Sequence, residues 1–111
     1  MKFRPAYHSP FRKFIKKQHK PLGAAVADAV EDVLANPSIG EFKKGDLQGV
    51  QVFKFKFQRV EYLMAYRMPA GAEDAETAPS GIEFLLVDFY QVDVHENFYA
   101  ELKRYLRSMK G

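Results

Sequence analysis

The chain has 111 residues, of which 47% are hydrophobic, and it contains no tryptophan and no cysteine. This length fits one hydrophobic core, so we expect residues 1–111 to form a single domain. The lack of cysteine excludes disulfides and thiolate metal sites and suits a reducing compartment. No apolar run approaches the roughly 20 residues that span a bilayer, and the amino terminus lacks the apolar centre of a signal peptide. The sequence therefore predicts a cytoplasmic protein with no membrane partner.

The formal net charge is +3 at pH 7, and it is unevenly distributed. The stretch 69–81, "PAGAEDAETAPSG", contains acidic residues and no basic residue, so the rest of the chain is more basic than the total suggests. We expect this stretch to be a mobile hairpin tip between two strands. A mildly basic body favours a polyanionic partner such as RNA, DNA or the ribosome, although an ordinary soluble surface would look similar.

Helices are predicted in the first third of the chain. Residues 2–7 alternate weakly around Pro5, which predicts a short edge strand or an extended arm. Ser9 and Pro10 then favour the start of a helix. A second helix is predicted from about Pro21 to Ala35, with apolar residues on one side. Because a break of only a few residues separates them, the two helices should form an antiparallel hairpin.

Strands and a last helix are predicted in the rest of the chain. Strands over roughly 50–58, 61–68 and 82–90 follow a loop rich in glycine. Asp93, with Glu96 three residues later, predicts a capping box at the start of the final helix. The predicted order is β-α-α-β-β-β-α. It favours an α+β fold in which an antiparallel sheet packs on the helical hairpin and leaves its other face partly open.

Residues 50–58, "VQVFKFKFQ", alternate aromatic and basic side chains. Because strand side chains alternate, Lys54 and Lys56 share the face opposite to the phenylalanines, about 7 Å apart. Two such ammonium groups could hold a nucleic-acid backbone or stabilise charge on a transferring phosphate. The alternative is a solvated face, or an edge that lysine protects against aggregation. On the next strand Arg67 could join these lysines, or it could pair with a carboxylate at the sheet edge.

The segment "HENFY" supplies a second group of candidates. His95 and Tyr99 are four residues apart and so lie on one side of the predicted helix. Histidine can act as a general acid or base near neutral pH, and tyrosine can stack on a base. Alternatively, Tyr99 belongs to the core and His95 only decorates the helix start. We expect His8 and His19 at the surface. The histidine spacing matches no metal-ligand pattern, so no metal or other cofactor is predicted.

Together, the element order, the K-x-K strand and the "HENFY" helix resemble the RelE/ParE superfamily of toxins from bacterial type II toxin–antitoxin modules. The resemblance runs from the helical hairpin through "NPSIGEFKKGDLQGVQVFKFKF" to "HENFYAEL". It implies a compact domain with an antiparallel sheet and a cognate antitoxin protein as partner. It also implies a target: many members cut mRNA in the ribosomal A site, whereas the ParE branch inhibits DNA gyrase.

The resemblance also implies roles for individual residues. Lys54 and Lys56 resemble the lysine pair that nuclease members use around the scissile phosphate. Tyr99 resembles the aromatic residue that stacks on or orients the nucleotide. His95 resembles the histidine that some members use as general acid or base, and Arg67 would assist from further along its strand.

Two positions depart from the nuclease pattern. Leu63 in "YLMAY" stands where many nucleases have the arginine of "YRLVY", and Asp93 lies near the position of a second arginine. Losing one charge stabiliser of this kind can cost roughly 100-fold in rate. Two functions are therefore open. Retention of His95 favours a metal-free, ribosome-dependent mRNA endonuclease, in which the ribose 2′-hydroxyl attacks the adjacent phosphate. The missing arginines favour a gyrase inhibitor that uses the same basic face without chemistry.

Overall fold

The computed structural model describes residues 2–69 and 84–110. Its elements in chain order are β1 (Lys2–Tyr7), α1 (Ser9–Lys17), α2 (Lys20–Ala35), β2 (Glu41–Phe42), β3 (Gln51–Phe57), β4 (Val60–Arg67), β5 (Phe84–Val94) and α3 (Phe98–Lys110). Two short 3-10 turns, Pro37–Ile39 and Gly45–Leu47, flank β2. The predicted α+β fold and element order are confirmed, with the two-residue β2 added. The expected acidic hairpin tip lies outside the described residues except at Pro69. None of the helices in the described ranges is long and apolar enough to cross a membrane.

Five strands of the described ranges form one sheet in the order β1-β5-β4-β3-β2. The pairings between β3, β4 and β5 are antiparallel, as predicted, and the added strand β2 also pairs antiparallel with β3. β1 instead runs parallel to β5, from Lys2 opposite Phe84 to Tyr7 opposite Phe89. A parallel pair needs a long connection, and most of the chain separates these two strands. As an edge strand, β1 tolerates Pro5, which has no amide hydrogen to donate to a neighbouring strand.

The hairpin between β3 and β4 turns at Gln58 and Arg59, whose φ angles are 50° and 69°. Two-residue hairpin loops favour positive φ at both positions because the resulting twist matches that of the flanking strands. The turn therefore fixes the register of the two strands, and it places Lys54 opposite Leu63.

Helices cover both faces of the sheet. One face packs on α1 and α2 around a large core that includes Val26, Val33, Met64 and Phe89. The opposite face packs on α3, and its core consists of Leu47, Val50, Val52, Leu63, Ala65, Tyr90, Phe98 and Leu102. This second face is open only in part, as predicted, because the part of β3 that carries the two lysines remains exposed.

The last helix begins later than predicted. Asp93 and Val94 belong to β5, and the Asp93 Oδ1 atom accepts a hydrogen bond from the Val94 amide at 2.7 Å. The predicted capping box of Asp93 and Glu96 is therefore wrong, because pairing with β4 extends β5 through Asp93 to Val94. The chain then turns at Asn97, whose φ is 59°, and α3 begins at Phe98.

Candidate functional site

An imidazole, a phenol ring and an ammonium group meet beside the start of α3. His95 is exposed, and its ring meets the Tyr99 ring edge-on with the centroids 5.7 Å apart. The Lys43 Nζ atom lies 5.3 Å from the Tyr99 ring centroid, within the range of a cation–π interaction. Tyr99 is half-buried and packs against the α3 core. Its ring is therefore held in place by packing and is still accessible from outside.

Lys43 was not identified as a candidate from the sequence. Its Nζ atom donates a hydrogen bond to Glu41 Oε1 at 3.0 Å. Burial alone would lower the pKa of Lys43, but the hydrogen bond to Glu41 and the neighbouring Tyr99 outweigh it, so the pKa is raised. The pKa of the exposed Glu41 is lowered, first by Lys43 and to a smaller extent by the charge of Lys54. The pairing of β2 with β3 brings Glu41 near Lys54, and the packing of α3 brings Tyr99 to Lys43. No local sequence signal shows either contact.

Lys54 and Lys56 are exposed on the sheet face that α3 covers further along. Each has a carboxylate nearby. The charge of Lys54 acts on Glu41, and Lys56 lies directly opposite Glu61 on β4. Opposite charges in such cross-strand positions are favourable, which explains how two lysines can occupy one strand face. Through Glu41, Lys54 is linked to the Lys43–Tyr99 group, whereas Lys56 lies nearer to the hairpin turn.

The two positions that depart from the nuclease pattern do not place a cation on this surface. Leu63 is fully buried in the core under α3. Asp93 is half-buried and lies beside Leu63 on β5. An apolar side chain therefore lies directly opposite Lys54, and a carboxylate lies one strand further away, on β5.

Arg67 lies apart from the lysines. It shares a face of β4 with Leu63 but is four residues further on, roughly 13 Å along the strand. Its Nε atom donates a hydrogen bond to the Tyr90 hydroxyl at 3.1 Å. Burial raises the pKa of Tyr90, and the hydrogen bond and charge of Arg67 oppose part of this increase. Arg67 thus faces a different part of α3, where it lines a cavity together with Lys103 and Arg107.

His8 is not the surface residue that the sequence suggested. Its side chain is 22% exposed, and its Nε2 atom lies 3.0 Å from Asp88 Oδ1. Its Nδ1 atom lies 2.8 Å from the Tyr105 hydroxyl, and its ring packs edge-on against Tyr90. The partners are 80 and 97 positions away in the chain, so no local pattern indicates them. His19 is exposed as expected, and its Nδ1 atom accepts a hydrogen bond from the Leu22 amide at the start of α2.

A family model described as the ParE-like toxin of type II bacterial toxin–antitoxin systems matches residues 6–103. The matched range begins in β1, ends within α3 and contains all five residues that the sequence nominated. No curated protein and no solved structure matches the chain significantly.

Proposed function

Since the chain belongs to the ParE-like toxins of type II bacterial toxin–antitoxin systems, we propose that it acts in the cytoplasm as a metal-free endonuclease on ribosome-bound mRNA. Membership of the family gives it a toxin role and a cognate antitoxin as partner. The target and the chemistry are our proposal. One observation carries it: exposed His95 and the Lys43 ammonium group both meet the Tyr99 ring, and the charge of Lys54 acts on Glu41, the hydrogen-bond partner of Lys43.

In the proposed reaction the 2′-hydroxyl of a ribose loses its proton and attacks the adjacent phosphate. The bond from phosphorus to the 5′-oxygen breaks, and that oxygen takes up a proton. The products are a 2′,3′-cyclic phosphate and a 5′-hydroxyl end. Because the nucleophile belongs to the substrate, the reaction needs two proton transfers and charge stabilisation but no metal.

The residues of the site suit these tasks. His95 is accessible to solvent and is the side chain here that can give and take a proton near neutral pH. Lys54 and Lys43 would stabilise charge that develops on the phosphate. The outer side of the Tyr99 ring can stack on a base. Lys56 and, from further along β4, Arg67 would contact the backbone.

Primer extension of cellular mRNA after induction of the toxin tests this proposal. We expect new 5′ ends at codon-phased positions of translated messages, together with growth arrest. His95→Ala and Lys54→Ala should abolish both. Two matched controls should keep both: Glu96→Gln alters the exposed neighbour of His95, and Lys16→Ala removes an exposed lysine from α1. Intact mRNA in arrested cells would reject the nuclease, and cuts that persist in His95→Ala would reject the role of the imidazole.

A second function, inhibition of DNA gyrase by binding, is favoured by the burial of Leu63 and by the acidic Asp93. Both leave the surface without the two additional cations of the nuclease pattern. Under this alternative, purified toxin inhibits supercoiling by gyrase, and induced cells show DNA-damage signalling while their mRNA stays intact. His95→Ala would then remain toxic, because inhibition by binding needs no proton transfer from the imidazole.

A further inference from the structure

A cavity of about 910 Å³ runs along one side of α3, next to the turn Gly45–Leu47. We call it the α3 groove. Three basic side chains line it, Arg67 from β4 and Lys103 and Arg107 from α3, against the single carboxylate of Asp46. This excess of positive charge sets the groove apart from the apolar core beneath it. A groove of this kind attracts anionic groups.

Arg67 is held in position at the inner wall of the α3 groove. Its Nε atom is bonded to the Tyr90 hydroxyl, and it packs closely on the backbone at Gly49. A Cβ atom at Gly49, where φ is 89°, would lie 2.5 Å from the Arg67 Nη1 atom. Among the described residues no carboxylate forms an ion pair with Arg67. Asp88 lies opposite Arg67 in the β4–β5 ladder but forms its ion pair with His8, so Arg67 adds a fixed positive charge to the groove wall.

The α3 groove continues the candidate site. Tyr99, Lys103 and Arg107 follow one another at intervals of four residues, so they lie along one side of α3. From Tyr99 to Arg107 the helix rises about 12 Å. The opposite wall is formed by the segment that begins at Lys43, beside Tyr99, and reaches Gly45 in the groove. One continuous surface thus leads from the imidazole and phenol rings to the three cations.

We propose that the α3 groove binds the phosphate backbone of single-stranded RNA that extends beyond the Tyr99–His95 site. This inference rests on the proposed function. The planar guanidinium of Arg67 matches the oxygens of one phosphate, and Lys103 and Arg107 neutralise its neighbours. RNA is favoured over an acidic peptide because the groove leads directly from an aromatic ring that can stack on a base.

Fluorescence anisotropy with a short labelled single-stranded RNA tests the inference, with 2′-O-methyl riboses to prevent cleavage. In the double variant Lys103→Gln/Arg107→Gln, the slope of log Kd against log salt should fall by about 1.4, since each phosphate contact contributes about 0.7. Affinity at moderate salt should fall roughly tenfold. The control Lys16→Gln/Arg104→Gln also removes one lysine and one arginine, but from exposed positions outside the groove. It should bind like the wild type.

Further measurements separate this inference from the proposed function. If Lys54→Gln weakens RNA binding while the groove variant behaves like its control, the groove proposal is overturned and the nuclease proposal stands. If the groove variant loses RNA binding but wild-type toxin leaves mRNA intact in cells, the groove proposal stands and the nuclease is rejected. The groove proposal would also be overturned if the groove variant bound RNA like the wild type but no longer bound a glutamate-rich peptide. Equal melting temperatures of the groove variant and its control would exclude misfolding as the cause of weaker binding. The single variant Arg107→Gln gives a second check, with one substitution in place of two.

Discussion

The Nδ1 atom of His8 lies 2.8 Å from the hydroxyl oxygen of Tyr105, so the chain just after β1 is hydrogen-bonded to the second half of α3. On its other side, Nε2 lies 3.0 Å from the carboxylate of Asp88 on β5. A neutral imidazole donates from one nitrogen and accepts at the other. Both contacts are satisfied when Nε2 donates to Asp88 and Nδ1 accepts from the Tyr105 hydroxyl. One side chain thus links three parts of the fold.

Two variants that remove this link should destabilise the protein to different extents. Tyr105→Phe deletes one hydroxyl and leaves Nδ1 without its partner, which should cost about 1 kcal/mol of unfolding free energy. His8→Ala also loses the contact with Asp88 and the packing on Tyr90, and should cost about 2–3 kcal/mol. Urea unfolding followed by circular dichroism measures both changes.

The control for this prediction is Tyr7→Phe, which removes an exposed hydroxyl and should change stability by less than about 0.5 kcal/mol. Because His8 and Tyr105 share one hydrogen bond, the double variant should be less destabilised than the sum of the single variants. Strict additivity would show that the two residues do not interact in solution.

Insertion of the arginine of the nuclease pattern at position 63 should damage the fold. Leu63 is fully buried in the core that contains Phe98, so Leu63→Arg places a cation under α3. The half-buried Asp93 opposite it offsets only part of the cost of removing that charge from water. We expect a loss of more than about 3 kcal/mol in unfolding free energy and no gain in mRNA cleavage. Leu63→Met keeps the volume and should cost less than about 1.5 kcal/mol. A stable Leu63→Arg protein with faster cleavage would show that α3 does not seal this position.

The same substitution at two glycines should have opposite effects. A Cβ atom at Gly40 would lie 2.5 Å from the Tyr66 hydroxyl, and that buried hydroxyl is fixed by hydrogen bonds to the Gly40 amide and the Pro37 carbonyl. Gly40→Ala should therefore cost about 1–3 kcal/mol. At Gly23, within α2, a Cβ atom meets nothing within 4 Å. Gly23→Ala should raise the unfolding free energy by about 0.5–1 kcal/mol, because alanine reduces the conformational entropy of the unfolded chain. Thermal melts measure both, and effects of equal sign would contradict the packing at Gly40.

The sequence predicted features that local periodicity sets, such as the face shared by Lys54 and Lys56. Alternation along one strand is sufficient to place these two side chains. It could not place Lys43 beside Tyr99 or His8 beside Tyr105, because those contacts depend on which strands pair and in which register. A register shift between Ala65 and Tyr66 in the β4–β5 ladder and the parallel pairing of β1 are set by long-range packing. Lys43 and the contact between His8 and Tyr105 were therefore missed, whereas His95, Tyr99 and the α+β fold were predicted.

Two buried tyrosines should make the fold sensitive to alkaline pH. Burial is the main cause that raises the pKa of Tyr66 and Tyr90 above 10.0. The folded state therefore holds these protons more tightly than the unfolded chain. Their contribution to stability is complete below about pH 10 and is lost as the pH rises through the raised pKa values. Urea midpoints should fall above about pH 10 as tyrosinate absorbance appears. Midpoints that stay constant while tyrosinate forms would show that these phenols ionise without opposing folding.

The parallel pairing of the first strand with β5 also sets the order in which a newly made chain can mature. β1 leaves the ribosome long before β5, the strand beside it in the sheet. Closure of so long a loop makes folding slow and late. During translation the nascent chain therefore carries two incomplete cores, and their apolar faces stay exposed until β5 and α3 have been made.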